Sequence, residues 1–475
     1  MPPIPRPGRT RPDVRGSTVP PTTCRPAHAG PCVGRRTWHG HRGYGRHNGH
    51  NGHGGNSGHG GHGSEAWRGA RGARGDGSGE DVAVTTTPSV TRPGTTADLA
   101  PYDALLLMSF GGPEGPEDVM PFLENVTRGR GIPRERLTDV AEHYLHFGGR
   151  SPINDQNRAL LAALRAELDA RGVDLPLYWG NRNWDPYLTD TLREAHEAGA
   201  RRVLAVITSA YSSYSGCRQY REDVAAAVTT LAEEGRGVEV DKVRHYFNTP
   251  GFVGANADGV VQAFRRLGDN VRDGARLVFV THSVPDVMEA ASGPDGGAYS
   301  EQHRQACAAV AEQAGRQLAG TPAWDLVYCS RSGPPTQPWL EPDVNDHLRA
   351  LHAEGVPAVV CSPIGFVSDH MEVKFDIDTE AEETAREIGL PFARAATVGT
   401  APGFVTQLVD LMLERADVAR GGSPDQPALT PWGPSHSVCP VGCCRNTRSE
   451  RPAACGADWQ QPVVAEPGDG RGAGG

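Results

Sequence analysis

The 475-residue sequence predicts an α/β protein of two doubly wound domains, each on a four-stranded parallel sheet. Three observations carry this. From residue 103 short apolar runs alternate with amphipathic helical patterns, as parallel strands covered on both faces require. About eight such strands occur, and they divide into two sets of four near residue 245. No glycine-rich dinucleotide fingerprint follows any strand: "SFGGPEGPED" lacks the G-x-G-x-x-G spacing, which disfavours nucleotide chemistry.

The elements follow in order. "ALLLMSF" (104–110) is an apolar strand stopped by "GGP", and helical patterns cover 115–126, 134–147 and 154–171. "PLYWGNR", a helix near 186–198, "RRVLAVITS", a helix near 215–234 and the strand "VRHYFN" (243–248) complete the first set. The second set runs helix 251–268, "ARLVFVTHS", helix 300–319, "DLVYCSRS", helix 341–354, "AVVCSPIGF", an acidic helix 371–388, "FARAATV" and helix 402–417. The domains are therefore placed at 101–245 and 246–420, with a cysteine-bearing extension at 421–475 and a tail before residue 101.

Composition separates the tail from the rest. Residues 1–80 carry a net charge of +8 against −10 for the whole chain, with twenty glycines and five residues of the Ile, Leu, Val, Met and Phe set. Such a segment cannot bury a core and is expected to be disordered, with linker to about residue 100. Its His/Gly run from His39 to His62 offers flexible imidazoles that could bind divalent metals weakly. The plainer reading is low-complexity sequence. The acidic remainder excludes a broad nucleic-acid surface. No apolar run reaches the roughly eighteen residues of a membrane span, and no secretory signal pattern opens the chain, so a cytoplasmic location without stable membrane insertion is expected.

In sheets of this kind, ligands bind beyond the C-terminal ends of strands where the winding order reverses. "LVFVTHSVP" puts His282 at one strand end, and "VVCSPIGFVSDHMEVKFD" puts Asp369, His370 and Glu372 at another. Imidazole and carboxylate suit a divalent cation and also proton transfer. Glu372, Asp376 and Glu380 follow at four-residue spacing, so their carboxylates share one helical face despite mutual repulsion. The row can hand a cation inward or carry protons outward. The ordinary alternatives are a satisfied structural histidine and a solvated acidic face, with Lys374 and Arg386 offsetting the repulsion. Elsewhere, "HFGGRSPIND" is a Gly-rich turn that Ser151 and Asn154 can cap. The loop "TSAYSSYSGCRQYRED" has the tyrosines and hydroxyls to line a flat aromatic ligand.

The ten cysteines fall into groups. Cys307, Cys329 and Cys361 sit in apolar patterns as small core residues. Cys217 stands alone, whereas Cys439, Cys443, Cys444 and Cys455 crowd the C-terminus. In a cytosolic chain such a crowd points to a metal or cluster site more than to disulfides.

Taken in order, "LLLMSFGGPE", "HFGGRSPIN", "TSAYSSYSGCRQY", "FVTHSVP" and "PIGFVSDHMEVKFDID" resemble the ferrochelatases, nearest to the coproporphyrin III branch of actinobacteria. The resemblance covers about residues 101–450. It implies the chelatase fold, two Rossmann-like domains with a porphyrin in the cleft between them. It implies His282 and Glu372 as the catalytic pair that handles Fe²⁺ and accepts protons, with Asp376 and Glu380 as the acidic path. It also implies porphyrin contacts at Ser151, Tyr220, Phe110 and Tyr144. Phe110 stands where some relatives carry a tyrosine that ligates iron. Thr127 replaces an arginine of some bacterial members, leaving Arg128 or Arg130 to meet a propionate. A 2Fe–2S cluster on Cys217, Cys439, Cys443 and Cys444 is implied as cofactor, with Cys455 as a substitute ligand and structural zinc as the alternative. The expected partners are coproporphyrin III and Fe²⁺, and the expected oligomeric state is a monomer. Other readings are a protoporphyrin IX ferrochelatase, a sirohydrochlorin cobalt or nickel chelatase, and a non-catalytic tetrapyrrole carrier.

Overall fold

The computed structural model describes residues 98–333 and 336–465. The basic tail, its His/Gly run, Cys24 and Cys32 lie outside the described residues. The first half comprises β1 (Ala104–Ser109), α1 (Pro116–Val126), α2 (Arg134–His146), α3 (Ile153–Ala170), β2 (Leu177–Asn181), α4 (Leu188–Glu197) and β3 (Arg202–Ile207). A π-helical turn (Tyr214–Arg218) then runs into α5 (Gln219–Glu233), followed by β4 (Glu239–Lys242). The second half comprises α6 (Pro250–Arg266), the single-turn α7 (Asp269–Arg272), β5 (Arg276–His282), the single-turn α8 (Asp286–Glu289), α9 (Ala298–Gly315), β6 (Trp324–Cys329), α10 (Val344–Ala353) and β7 (Val359–Ser362). A π-helical stretch (Val373–Ala381) continues as α11 (Glu382–Glu387), and β8 (Phe392–Arg394) and α12 (Pro402–Ala419) close the series.

Both sheets have four parallel strands, in the orders β2-β1-β3-β4 and β6-β5-β7-β8. The two halves thus repeat one topology. In each, the winding reverses between the first and third strands, and a crevice opens at the carboxyl ends of that pair. The central strands are buried, β1 throughout and β5 from Leu277 to Thr281, which is why they read as unbroken apolar runs.

One hydrophobic cluster runs through both halves. Leu160 and Leu164 of α3, Phe252 and Val260 of α6, and Phe404 and Leu408 of α12 belong to it. Within that interior Arg244 Nε donates to Glu414 Oε1 at 2.7 Å, with both side chains buried. The pair ties the segment after β4 to α12. It also corrects a sequence expectation: "VRHYFN" is not a strand, because the ladder ends at Lys242, one residue before that run begins. Tyr246 and Phe247 are apolar because they fill the shared core from a turn, where Tyr246 Oη donates to Ile207 O at 2.8 Å. The "FARAATV" strand is likewise confined to Phe392–Arg394.

Two glycine-bearing motifs are explained by contact between loops. Ser151 N donates to Pro113 O at 2.9 Å, and Asn154 Nδ2 donates to Gly112 O at 2.9 Å. Gly149 has φ +76°, and a Cβ there would lie 2.5 Å from Pro116 Cα. No described helix is long and apolar enough to cross a membrane.

Glu414→Ala leaves the Arg244 charge buried without its carboxylate, and urea unfolding is expected to show a loss of about 3 kcal/mol or more. Replacing both, Arg244→Met with Glu414→Leu, is expected to recover most of that loss.

Candidate active site

His282 is the last residue of β5 and pairs in register with Cys329 of β6. Its Nδ1 faces the Ser283 carbonyl, a position that takes an N–H donor. Nε2 therefore keeps its lone pair. The backbone behind it is held firmly, since Tyr299 Oη donates to His282 O at 2.8 Å and Thr281 Oγ1 lies 2.9 Å from both Tyr299 Oη and His303 Nε2. Burial lowers the affinity of His282 for a proton, and the Glu372 carboxylate only partly opposes this. The imidazole is thus neutral around pH 7.

The second crevice wall follows β7. β5 and β7 are hydrogen-bonded neighbours through Phe279↔Ser362, so the segment 363–372 leaves the sheet beside His282. Asp369 N accepts restraint from the other half, donating to Gln156 Oε1 of α3 at 2.8 Å. His370 Nδ1 lies 2.8 Å from Glu372 Oε2, off the line of a good hydrogen bond. Burial works against the Glu372 charge, but the His370 imidazole, with a smaller share from His282, outweighs it and holds the carboxyl at about 2. Glu372 is therefore an anion between two imidazoles. Asp376, deeper in the row, is pushed up to about 7, first by burial and then by Glu372 and Glu380, although a hydrogen bond from Ser330 opposes the shift. Burial, then Asp343 and Glu383, also raises Glu380.

Asp376 and Glu380 sit on the π-helical stretch, with Glu372 just before it, rather than on the regular α-helix expected, and such wide turns are frequent at functional sites. The cations that sequence offered as neutralisers are engaged elsewhere. Lys374 Nζ lies 2.7 Å from Asp378 Oδ2, and Arg386 Nη2 lies 2.8 Å from Glu383 Oε1. Arg394 joins Asp378 and Asp369 at 2.8 and 2.7 Å. The face bearing Glu372, Asp376 and Glu380 keeps its charge uncompensated except by the imidazoles.

Across from the row, α1 and α2 form an aromatic wall. Phe122 and Tyr144 belong to it together with Met371, and Phe110, Trp184 and Phe375 pack against them. His143 stacks on Phe375 with ring centroids 3.7 Å apart, joining α2 to the acidic helix. Tyr144 is buried, and burial plus the charges of Glu372 and Asp376 push its phenol well up. Tyr220 is also buried, with the Arg182 guanidinium 4.5 Å from its ring; the same group lies 5.8 Å from the Phe110 ring and pairs with Asp223. Ser151 is buried in the turn below Pro113. The structure therefore gathers His282, Glu372, Asp376 and Tyr144 about one crevice, with Phe110 and Tyr220 linked through Arg182 at the other switch point. Arg182 and Ser330 escaped the sequence reading; their positions at the ends of β2 and β6 were the available signal. A cavity of about 590 Å³ lined by Arg158, Leu161, Arg165 and Leu175 opens at the other end of β2, away from this chemistry.

Away from the crevice, Cys217, Cys439, Cys443 and Cys444 form one buried cluster. Cys443 Sγ lies 3.9 Å from Cys444 Sγ and 3.7 Å from His436 Nε2. His436, Cys439 and Cys443 offer ligand atoms within 4.8 Å of one another, so His436 is a neighbour that spacing did not disclose. Gly293 N points at Cys444 Sγ at 3.1 Å. Cys455 is set apart, because its Sγ donates to Val240 O at 3.1 Å and it packs in the hydrophobic cluster of the first sheet. Cys307, Cys329 and Cys361 are buried core residues as expected.

Comparison with known proteins adds the following. The Ferrochelatase family profile matches residues 102–416. A Streptomyces coelicolor protein named coproporphyrin III ferrochelatase is 58% identical over 367 residues, 76% of this chain and 98% of its own. A Rhodopirellula baltica protein named ferrochelatase is 51% identical over 366 residues, 77% of this chain and 99% of its own. Among solved structures, Bacillus subtilis SirB with Fe³⁺ aligns over 67% of this chain and 97% of its own, at 11% identity and a TM-score of 0.40.

The raised Asp376 carboxyl has a consequence for stability. Folding penalises its anion, so the penalty is full above about pH 7 and vanishes toward the ordinary carboxyl range near 4. Asp376→Asn is expected to melt higher than the parent at pH 8, and the gap should close as pH falls toward 4 in a series of thermal melts.

Proposed function

The chain belongs to the ferrochelatase family, and on that premise we propose that it inserts Fe²⁺ into coproporphyrin III to give the iron coproporphyrin of haem synthesis. The observation that carries the reading is the partly buried group at the β5–β7 crevice: a neutral His282 with a free Nε2, an anionic Glu372, and an acidic row leading away from them. A non-catalytic carrier would need the cleft but not this arrangement.

The chemistry follows from the groups. A metal-free porphyrin carries two pyrrole N–H protons that must leave as the ion enters. Neutral imidazole at His282 Nε2 is a base of suitable strength for them. Glu372 stays ionised beside it and attracts the dication, while His370 keeps the carboxylate charged in spite of partial burial. Asp376 titrates near neutrality and can accept a proton from the site and release it toward Glu380. The aromatic wall of Phe122, Tyr144 and Phe110 offers apolar area for a macrocycle, whose bending would draw on binding energy at its periphery. That periphery carries carboxylates. Arg130 is exposed, and beyond the protein atoms around its guanidinium it feels the like charges of Arg448 and Arg182, which suits a propionate.

The four-cysteine cluster fits a 2Fe–2S group: four thiols from two distant segments converge in a buried site with a backbone N–H directed at one sulfur. Cys217, Cys439, Cys443 and Cys444 would hold it. Bound there, the group supplies four iron–thiolate bonds that tie the C-terminal segment to the turn before α5, and a one-electron centre. Zinc on the same thiolates is the competing occupant.

An anaerobic assay offering Fe²⁺ with coproporphyrin III or protoporphyrin IX, followed by absorption, tests the activity. Faster turnover of coproporphyrin is expected, and absence of turnover with either ring would sink the proposal. His282→Ala and Glu372→Gln are each expected to lower the insertion rate by roughly 100-fold or more, while fluorescence titration shows the porphyrin still bound. Cys217→Ser is expected to abolish the visible absorption of the purified chain outside the porphyrin bands.

A further inference from the structure

Two buried cations beside the cysteine cluster have no part in the insertion chemistry. Lys242 ends β4 and is 2% exposed, and Arg221 in the first turn of α5 is 0% exposed. Lys242 Nζ has a single hydrogen bond among the described residues, a 3.4 Å one to the neighbouring Val243 carbonyl, and no carboxylate within ion-pair distance. The adjacent Asp241 is taken: Tyr102, Arg202 and Arg415 hold it at 2.8, 3.1 and 2.8 Å. Arg221 Nε donates to Ala454 O at 2.7 Å, its Nη2 donates to Ala453 O at 3.5 Å and lies 3.8 Å from Asp458 Oδ1, and its Nη1 has no partner among the described residues. Burying an ammonium and a guanidinium with so little opposite charge is strongly unfavourable.

The anions that answer them are the cysteines. Arg221 lies four residues after Cys217, about one turn farther along the chain, and the charge that most offsets the burial of either cation is that of Cys439, whose thiol is drawn well down. The C-terminal strap is shaped around the guanidinium. Ala454 N donates to Arg221 O at 3.0 Å, Cys439 N donates to Cys455 O at 3.2 Å, and a Cβ at Gly456 would lie 2.0 Å from Arg221 Nη2.

We propose that Lys242 and Arg221 are the built-in counter-charge of the four-cysteine centre, and that they select an all-thiolate ligand set over one in which His436 replaces a cysteine. The inference rests on the reading of that cluster as a metal site. Charge balance carries the selection. Four thiolates around either a 2Fe–2S core or a zinc ion leave two negative charges, which two buried cations match. Three thiolates and a neutral imidazole leave one, and a buried positive charge is then unanswered. His436 lies outside the ligand set. Lys242 and Arg221 are positioning residues that act through the thiolates.

The test uses the full chain purified anaerobically, with iron, acid-labile sulfide and zinc measured per chain, and Lys242→Met beside the parent. If the parent holds iron and sulfide, Lys242→Met is expected to lose them to a chelator at roughly 100-fold lower concentration. Its remaining clusters should titrate with dithionite at a more negative midpoint, because the added electron meets less positive charge. The metal-stripped Lys242→Met chain should melt no lower than the stripped parent; a lower melt would mark an ordinary structural lysine and overturn the proposal. Unchanged retention and midpoint would overturn it as well, with the cluster reading intact. If the parent holds zinc, the 2Fe–2S reading falls, and zinc retention in the same variant decides the counter-charge on its own. A parent with no metal overturns both. His436→Ala is expected to keep full metal content, and loss of metal there would refute the all-thiolate set.

Discussion

The hydrogen-bonded adjacency of β5 and β7 is the constraint on which the crevice depends. These strands are far apart in sequence, separated by α8, α9, β6 and α10, yet Phe279 and Ser362 are ladder partners. Because the ladder is parallel, both carboxyl ends emerge at one edge, and the connections leave toward opposite faces of the sheet. His282 and Glu372 meet there for that reason. The other sheet repeats the arrangement with β1 and β3, placing Phe110 and the Tyr220 segment at the corresponding edge. A repeated topology thus supplies two switch points, one with ionisable groups and one with aromatic rings under a guanidinium.

Burial of like charges is managed in opposite senses at two places. In the acidic row, Glu372 is kept ionised by imidazoles while Asp376 sits near its midpoint. A gradient of proton affinity therefore runs along one helical face. The nearby cations are committed to Asp378 and Glu383 on other faces, which leaves the gradient undisturbed. Around the cysteines the arrangement is reversed, with cations buried and carboxylates held away. In both places low dielectric makes the missing partner expensive, so the environment indicates the charge of what belongs there.

The halves are joined by more than a linker. The cluster shared by α3, α6 and α12, the buried Arg244–Glu414 pair and the contact from Gln156 to Asp369 fix the two sheets relative to each other. The His143–Phe375 stack closes the aromatic wall against the acidic helix. The rings that line one side of the crevice are thereby coupled to the carboxylates on the other.

Much of this was legible in the sequence. Parallel strands buried on both faces leave unbroken apolar runs, and the pattern gave the class, the division into two sets of four strands and the position of His282 at a strand end, while Glu372 stands ten residues beyond the end of β7. Four-residue spacing likewise put the three carboxylates in one row. What sequence could not supply was pairing between residues distant in the chain. It left Lys374 and Arg386 free to neutralise the row, offered Cys455 as a ligand, read the core-filling Tyr246 and Phe247 as a strand, and gave no hint of Arg182, Ser330 or His436. Each of these depends on which elements pack together, and local periodicity carries no record of that. Lys242 shows the difference most clearly: its sequence context is an ordinary polar strand end, and only the tertiary structure buries its charge, where low dielectric makes an opposite charge necessary.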